Sequence, residues 1–276
     1  MKEGVNITTT NTDVHLYSIG SPISDTVEML PMVSLNELCM IQLVYLLLIV
    51  YHLTRHMKKY FPDGVKKHAN LLKWIIIVYD FFQVMGNLLV ILYVSMKPQL
   101  VKYAWEHLAD CPTHVDSWEH RELLGLGTIW YYFKLFDLLD TLFFILRGKF
   151  SHVSVLQVYH HSTVVLTVWI SLQYVPLSQN LFYAWINSLV HVVMYTYYGL
   201  ALLKIRVWWK RYITCMQLTQ FIIMSILTAY LLTCVLIHQR ALYYTYLVSL
   251  QVLMFLSLFI NFYMKAYGGV HKPKTH

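Results

Sequence analysis

The chain has 276 residues, of which 58% are hydrophobic and only 13% are charged. A mean hydropathy of +0.51 excludes a soluble protein with a polar surface. The formal net charge of +7 is compatible with nucleic-acid binding, but the cations cluster in loops beside apolar segments, where anionic lipid or a phosphorylated substrate is the more natural partner. We therefore expect an all-α, polytopic membrane protein that contacts membrane lipid and no nucleic acid.

Seven stretches are long enough to cross a bilayer, because a helical span needs roughly 20 mostly apolar residues. We expect a membrane domain at 34–267, preceded by a polar tail at 1–33 and followed by a basic tail at 268–276. The predicted spans cover residues 35–54, 73–95, 124–146, 153–174, 179–203, 212–236 and 241–264.

The loop charges predict the orientation. Of the 21 Lys and Arg residues, 15 fall on the side of the odd-numbered loops and the C-terminus, whereas ten of the 14 carboxylates fall on the other side. The positive-inside rule then places the N-terminus in the lumen and the C-terminus in the cytosol. Residues 1–33 lack the apolar core of a signal peptide, so we expect them to be retained.

Three further features depend on this orientation. Asn6 opens an Asn-Ile-Thr triplet, which is a glycosylation acceptor in a lumenal tail or else a chance triplet. Lys272 and Lys274 resemble a cytosolic dilysine signal for retrieval to the endoplasmic reticulum, although two lysines in a short basic tail can also be chance. Cys111 and Cys234 both lie on the oxidising lumenal side, which predicts a disulfide between them.

The third span carries Lys134, Asp137, Asp140 and Thr141 within about two helical turns. Each unpaired charge at the bilayer centre costs roughly 2.5–3.5 kcal/mol on insertion scales. Lys134 and Asp137, three residues apart, can neutralise each other. Asp140 then needs another donor, and a nearby histidine would serve. The alternative is an ion pair that only locks helix packing.

The next three spans also carry polar groups. Gln157, His160 and His161 share one helical face, since they are spaced i, i+3, i+4. A second stripe follows the fifth span, and glutamines in the sixth are typical of hydrogen bonds between membrane helices. These further residues are Asn187, His191, Met194 and Tyr198 in the fifth span, and Thr214, Gln217 and Gln220 in the sixth.

Depth links these groups. At 1.5 Å per residue, Asp137 lies roughly 15 Å, His160 roughly 12 Å, His191 roughly 18 Å and Gln217 roughly 9 Å from the cytosolic ends of their helices. Independent packing residues have no reason to share one depth. The sequence therefore predicts a single active site that leans towards the cytosol.

The residue types favour acyl chemistry over metal chemistry. Gln157 stands where a third imidazole would complete a ligand set, so no metal is expected. Paired histidines near a carboxylate suit nucleophilic or acid–base catalysis on an activated acyl group. An anionic carrier such as coenzyme A would lie against the cytosolic cations, which are Arg147, Lys149, Lys204, Lys210 and Arg211.

Four motifs, in this order, resemble those of the ELO (ELOVL) family of very-long-chain fatty acid elongases. Together they span residues 134–220. They are Lys134-x-x-Asp137-x-x-Asp140-Thr141, Gln157-x-x-His160-His161, Asn187-x-x-x-His191-x-x-Met194-Tyr195-x-Tyr197-Tyr198 and Thr214-x-x-Gln217-x-x-Gln220.

The resemblance implies that six helices enclose an acyl tunnel closed at its lumenal end, with the first helix outside. It also implies an acyltransferase that condenses acyl-CoA with malonyl-CoA to a 3-oxoacyl-CoA two carbons longer, releasing carbon dioxide and CoA, with no further cofactor. His160 would carry the acyl group, His161 and His191 would orient it and handle protons, and Asn187 would hold His191. Expected partners are other elongation-cycle enzymes or a second copy of the chain.

The remaining motif residues would tune and position the histidines. They are Lys134, Asp137, Asp140, Thr141, Gln157, Tyr195, Tyr198, Gln217 and Gln220.

One departure from the family pattern is Gln157, because many members have histidine there. Glutamine forms hydrogen bonds but carries no proton at neutral pH, so we expect an orienting group. A seven-helix receptor or transporter and a catalytically inactive lipid-binding relative stay open as alternatives. The tunnel bottom, and with it the accepted chain length, is placed near residues 230–238 and 243–251, where the bulky Tyr243, Tyr244 and Tyr246 are expected to limit its depth.

Overall fold

The computed structural model describes residues 33–108, 118–174, 178–238 and 242–267, and within these ranges the chain is helical with no strand. The helices are α1 (Leu35–Tyr60), α2 (Ala69–Ser95), α3 (Pro98–Glu106), α4 (Trp118–Asp137), α5 (Leu139–Leu146), α6 (Val155–Tyr174), α7 (Gln179–Leu202), α8 (Lys210–His238) and α9 (Leu242–Tyr267).

Helix α1 changes its turn geometry along its length. Its start is fixed by a capping box, in which Ser34 and Glu37 bond each other's backbone N–H groups. The α-helical turns at Leu35–Leu43 and Thr54–Tyr60 flank a π-helical stretch at Val44–Leu53. The wider π turn alters which side chains face the rest of the protein, as the neighbours of Tyr45 show below.

The predicted third span is two helices in series. Helix α4 ends at Asp137 and α5 begins at Leu139, with Leu138 between them. The Leu138 N–H donates to the Leu135 carbonyl at 3.2 Å, so the chain tightens locally but keeps its direction. This tightened turn lies between the two aspartates of the third-span motif.

Packing contacts run around a closed order of helices. Helix α4 packs on α6, α6 on α9, α9 on α8, α8 on α7, α7 on α2, and α2 on α4. Helix α1 lies outside this ring and packs on α5. Only 11% of the apolar window of α1 is buried, against 28–39% for the other apolar helices, which agrees with a peripheral first helix.

Helices lie at all seven predicted span positions, and among the described residues five of them are long and apolar enough to cross a membrane. The chain is therefore a multi-pass helical membrane protein. The two other positions, α4–α5 and α7, carry the polar motif residues, which lower their hydropathy. Their crossing, and with it the count of seven, stays a prediction.

Several predicted features lie outside the described residues and stay predictions. They are Asn6, Cys111, Lys272, Lys274, both tails, and the side chains of Cys234 and Arg211.

Candidate active site

Lys134 is the hub of a buried polar network between α4 and α7. Its ammonium group donates to Asp137 Oδ2 at 2.6 Å and to Asn187 Oδ1 at 2.8 Å, and it lies 3.5 Å from His191 Nδ1. An ammonium has three donors, so these three partners use them all. With only 3% of Lys134 exposed, the charge is held entirely by protein groups.

The two aspartates share their remaining donors. The Tyr195 hydroxyl lies 2.9 Å from both Asp137 Oδ1 and Asp140 Oδ2, and the Tyr79 hydroxyl donates to Asp140 Oδ1 at 2.9 Å. The expectation that a histidine serves Asp140 is wrong. Phenol hydroxyls reach it because α2 and α7 pack tightly against the α4–α5 turn, whereas His191 approaches Asp137 instead, at 3.7 Å.

Helix α2 contributes residues that the sequence analysis missed. Gln83 Nε2 donates to Asp137 Oδ1 at 2.8 Å and to the Tyr79 hydroxyl at 3.0 Å, and Asn87 donates to the Gln83 carbonyl. Tyr79, Gln83 and Asn87 follow i, i+4, i+8 spacing, which puts them on one face. That polar stripe on a long apolar helix was the available signal.

His191 is anchored by the polar network. Lysine has no acceptor, so its contact with His191 requires Nδ1 to accept, and the proton of the neutral ring then lies on Nε2. Asn187 was expected to hold His191. Its amide oxygen instead accepts from Lys134, so it positions the imidazole through that ammonium group.

His160 lies in a different environment, on α6, whereas His161 beside it also contacts Asp137. Their rings are 5.5 Å apart and meet edge to face, and the His160 ring lies 4.6 Å from Phe255 and 6.0 Å from Phe221. Within the described residues, the Nδ1 atoms of both histidines are buried and without a hydrogen-bond partner. A neutral imidazole carries a lone pair on one ring nitrogen, so a ring with an unbonded nitrogen against apolar groups suits nucleophilic attack on a substrate.

Gln157, one turn before His160, donates its amide to Thr141 Oγ1 at 2.7 Å. Thr141 is also 2.9 Å from the hydroxyl of Tyr45, on α1. The Thr141 hydroxyl thus links Gln157 to both α5 and α1. This is the orienting role expected of an amide, which forms hydrogen bonds without carrying a proton at neutral pH.

The outer motif residues surround this centre. Tyr198 packs on Tyr195 and Phe144. Gln217 donates to the Met194 sulfur at 3.7 Å. Thr214 and Gln220 are buried on α8. The predicted depth layer therefore does bring four helices together, although α8 touches it only at the edge.

The helix ends around Arg147, which form the predicted cytosolic entrance, are held together by a backbone contact between two loops. Val65 N–H donates to the Leu146 carbonyl at 2.9 Å. Gly64 and Gly148 both have left-handed backbones, with φ of 82° and 69°, and a Cβ on either would lie 2.6–2.8 Å from the backbone of the other loop. Only glycine fits such a close approach, which sets Arg147 at the entrance.

Three predicted carrier-binding cations converge at this entrance. Partial desolvation of its ring, and then the positive charges of Lys149, Lys210 and Arg147, lower the pKa of His152 from its usual 6.5. Arg147 also interacts with the buried carboxylate of Asp80. Lys204 is exposed just beyond the end of α7.

At the opposite end of the helices, the exposure of the tyrosines of α9 differs from the expectation. Tyr243 is 84% exposed and Tyr246 45% exposed, so both face outwards and cannot close a tunnel. Tyr244 is buried, contacts Ser171 and lies near Tyr183. The i+1 spacing turns Tyr244 inwards and its neighbour Tyr243 outwards.

A family model described as "ELO: GNS1/SUR4 family" matches residues 30–276. The chain belongs to this family.

The chain is also similar to proteins named very long chain fatty acid elongases. The chain is 34% identical over 210 residues to very long chain fatty acid elongase 4 of Macaca mulatta, covering 74% of this chain and 65% of that protein. It is 43% identical over 150 residues to very long chain fatty acid elongase 5 of Xenopus laevis, covering 50% and 48%. It is 34% identical over 186 residues to very long chain fatty acid elongase 2 of Rattus norvegicus, covering 62% and 63%.

The matches thus cover less than two thirds of the length of each of these relatives. Within the ELO family, the chain is a fatty acid elongase homologue with membrane-spanning helices.

Proposed function

We propose that this chain is an acyltransferase that condenses a long-chain acyl-CoA with malonyl-CoA to a 3-oxoacyl-CoA two carbons longer. The observation that carries the proposal is the pairing of an unbonded His160 against apolar rings with a hydrogen-bonded ionic network around His191. The surroundings of His160 suit an acyl chain and its carbonyl. The surroundings of His191 suit proton transfer and the stabilisation of charge.

In the first half-reaction, a ring nitrogen of His160 attacks the thioester carbonyl. The carbon–sulfur bond breaks, and the CoA thiolate takes the proton that the imidazole gives up. The products are an acyl-imidazole and free CoA. Phe255 and Phe221 beside the ring exclude water, which would hydrolyse this intermediate.

In the second half-reaction, malonyl-CoA loses carbon dioxide and its electron pair remains as an enolate. The enolate carbon attacks the acyl carbonyl, the carbon–nitrogen bond breaks, and a proton from solvent restores the neutral His160. The Nε2–H of His191, with its tautomer set by Lys134, is the donor suited to the enolate oxygen. Lys134 contributes fixed positive charge without itself moving.

The carrier's phosphates would lie against Arg147, Lys149 and Lys210, at the cytosolic entrance beside His152. This placement follows the loop charges, which assign that face to the cytosol. The same orientation puts the N-terminus in the lumen, and the dilysine-like Lys272 and Lys274 favour the endoplasmic reticulum membrane.

The test is condensation in microsomes from cells that express the chain. Labelled malonyl-CoA and a panel of acyl-CoAs should give labelled 3-oxoacyl products that depend on both substrates. His160→Ala should abolish them without loss of expression, because it removes the proposed nucleophile. His56→Ala, at an exposed histidine of α1, is the matched control and should retain full turnover.

Two outcomes would overturn the proposal. Full turnover by His160→Ala would remove the nucleophile assignment. Acyl-CoA binding without any product from the wild-type chain would favour the inactive lipid-binding relative.

A further inference from the structure

Helix α1 lies outside the helical ring, yet one of its side chains reaches the site. Tyr45 is 1% exposed, whereas Leu46, Leu47 and Leu48 after it are 40–55% exposed. Its hydroxyl lies 2.9 Å from Thr141 Oγ1. A buried phenol that ends on a hydrogen-bond partner is a specific contact and not a lipid anchor.

The contact continues to the histidine helix. Thr141 Oγ1 accepts from Gln157 Nε2 at 2.7 Å, and Gln157 precedes His160 by three residues on the same face of α6. The hydrogen bonds therefore form a chain of three side chains, from α1 through α5 to the turn that carries His160. We call it the Tyr45–Thr141–Gln157 chain.

A second contact holds the same turn of α6 from its other end. Gln42 Nε2 donates to the Ser162 carbonyl at 3.1 Å, and Ser162 Oγ donates to Gln42 Oε1 at 2.7 Å. Ser162 follows His161 directly. Helix α1 thus bonds α6 directly after the histidine pair and is linked to α6 before the pair through Thr141 of α5.

The backbone of α1 is adapted to these contacts. The helix changes from α to π turns at Val44, between Gln42 and Tyr45. π-helical turns are rare and frequently found at functional sites, since the wider turn costs stability. In α1 the first π turn lies between Gln42, which contacts α6, and Tyr45, which contacts α5.

We propose that Tyr45 is a positioning residue, which acts through the Tyr45–Thr141–Gln157 chain to hold the turn of His160 and His161 in its reactive geometry. The inference rests on the proposed function for its kinetic consequence. It makes the outer helix part of the catalytic scaffold.

The test compares purified full-length variants in detergent micelles. Tyr45→Phe keeps the ring and removes only the hydroxyl, and should lower kcat about tenfold while KM for acyl-CoA stays unchanged. Thr141→Val should do the same, and Thr141→Ser, which retains the hydroxyl, should restore most of the rate. The double variant Tyr45→Phe/Thr141→Val should be no slower than Thr141→Val, because the chain is already broken.

Tyr51→Phe is the matched control, because Tyr51 is a 54% exposed tyrosine of the same helix. It should retain the wild-type kcat. The thermal midpoint of each variant should stay near that of the wild type, which separates positioning from unfolding.

A second readout does not depend on condensation. The rate at which diethyl pyrocarbonate carbethoxylates His160 and His161, followed by peptide mass spectrometry, should change in Tyr45→Phe and not in Tyr51→Phe. Wild-type kcat in Tyr45→Phe, or losses that multiply in the double variant, would overturn the inference. A wild-type chain without condensation would overturn the proposed function, and the carbethoxylation rates would then test Tyr45 alone.

Discussion

His191 and His160 belong to one site but lie in opposite surroundings. His191 touches the ion pair of Lys134 and Asp137, in a network where all three donors of the Lys134 ammonium group have a partner. His160 lies against Phe255 and Phe221 with a ring nitrogen unbonded. We call these the polar side and the apolar side of the site.

The difference follows from the dielectric of the interior. Buried charges are stable only when they are paired and fully hydrogen-bonded, so the polar side has one arrangement. The hydrophobic effect is non-directional, so apolar rings can pack against an acyl chain as well as against each other. Under the proposed function, the nucleophile is therefore on the side that suits the acyl chain, and proton handling is on the side with hydrogen-bonded charges.

The largest expected effect comes from breaking the polar side at its hub. Lys134→Met leaves Asp137 buried without its counter-charge, which should cost about 3–5 kcal/mol of stability. The measurement is the fraction of monodisperse protein that survives heating in detergent. Lys97→Met is the matched control, because the Lys97–Glu122 pair is equally short at 2.6 Å but partly exposed. It should cost only about 0.2–1 kcal/mol.

A compensating variant sharpens the same comparison. Lys134→Met/Asp137→Asn removes both charges of the pair and should recover part of the lost heat stability. Survival of the single variant at wild-type level would contradict a buried, obligatory ion pair.

On the apolar side, we expect Tyr244→Ala to lengthen the products by about one two-carbon cycle, because it opens space between α6, α7 and α9. Tyr246→Ala, in the same helix but 45% exposed, should leave the product profile unchanged. Chain lengths are read by mass spectrometry of the acyl products. A longer profile from Tyr246→Ala alone would reverse the assignment.

The smallest effect is expected at His152, which lies at the proposed entrance and belongs to neither the polar side nor the apolar side of the site. Because the pKa of His152 is lowered below 6.5, this residue is neutral at pH 7.5, and His152→Gln should leave KM for malonyl-CoA within roughly twofold. As pH falls below that lowered pKa, wild-type His152 gains a positive charge and should bind the anionic substrate more tightly than the variant does. Equal KM values for both chains at low pH would contradict this role.

The sequence predicted the site through spacing and depth. Polar groups within apolar spans cost insertion free energy, so the sequence predicts a function for Lys134, His160 and His191. Their periodicity fixed the helical face, and the rise per residue fixed their depth, and the structure does bring these helices together.

The hydrogen-bond partners that lie on other helices could not be predicted from spacing and depth. Asp140 was assigned a histidine donor and receives Tyr79 and Tyr195 instead. Asn187 was assigned to His191 and bonds Lys134. Periodicity predicts which face of a helix is polar, but it does not predict which neighbouring helix packs against that face.

The sequence by itself thus determined the helical membrane architecture, the polar layer and the residue types that suit acyl transfer, because insertion energy and helical pitch act along the chain. Only the tertiary structure decided that Gln83 reaches Asp137, that Tyr244 and not Tyr246 turns inwards, and that Tyr45 reaches Thr141. These facts depend on helix rotation and close packing between residues far apart in the chain, which no local pattern encodes.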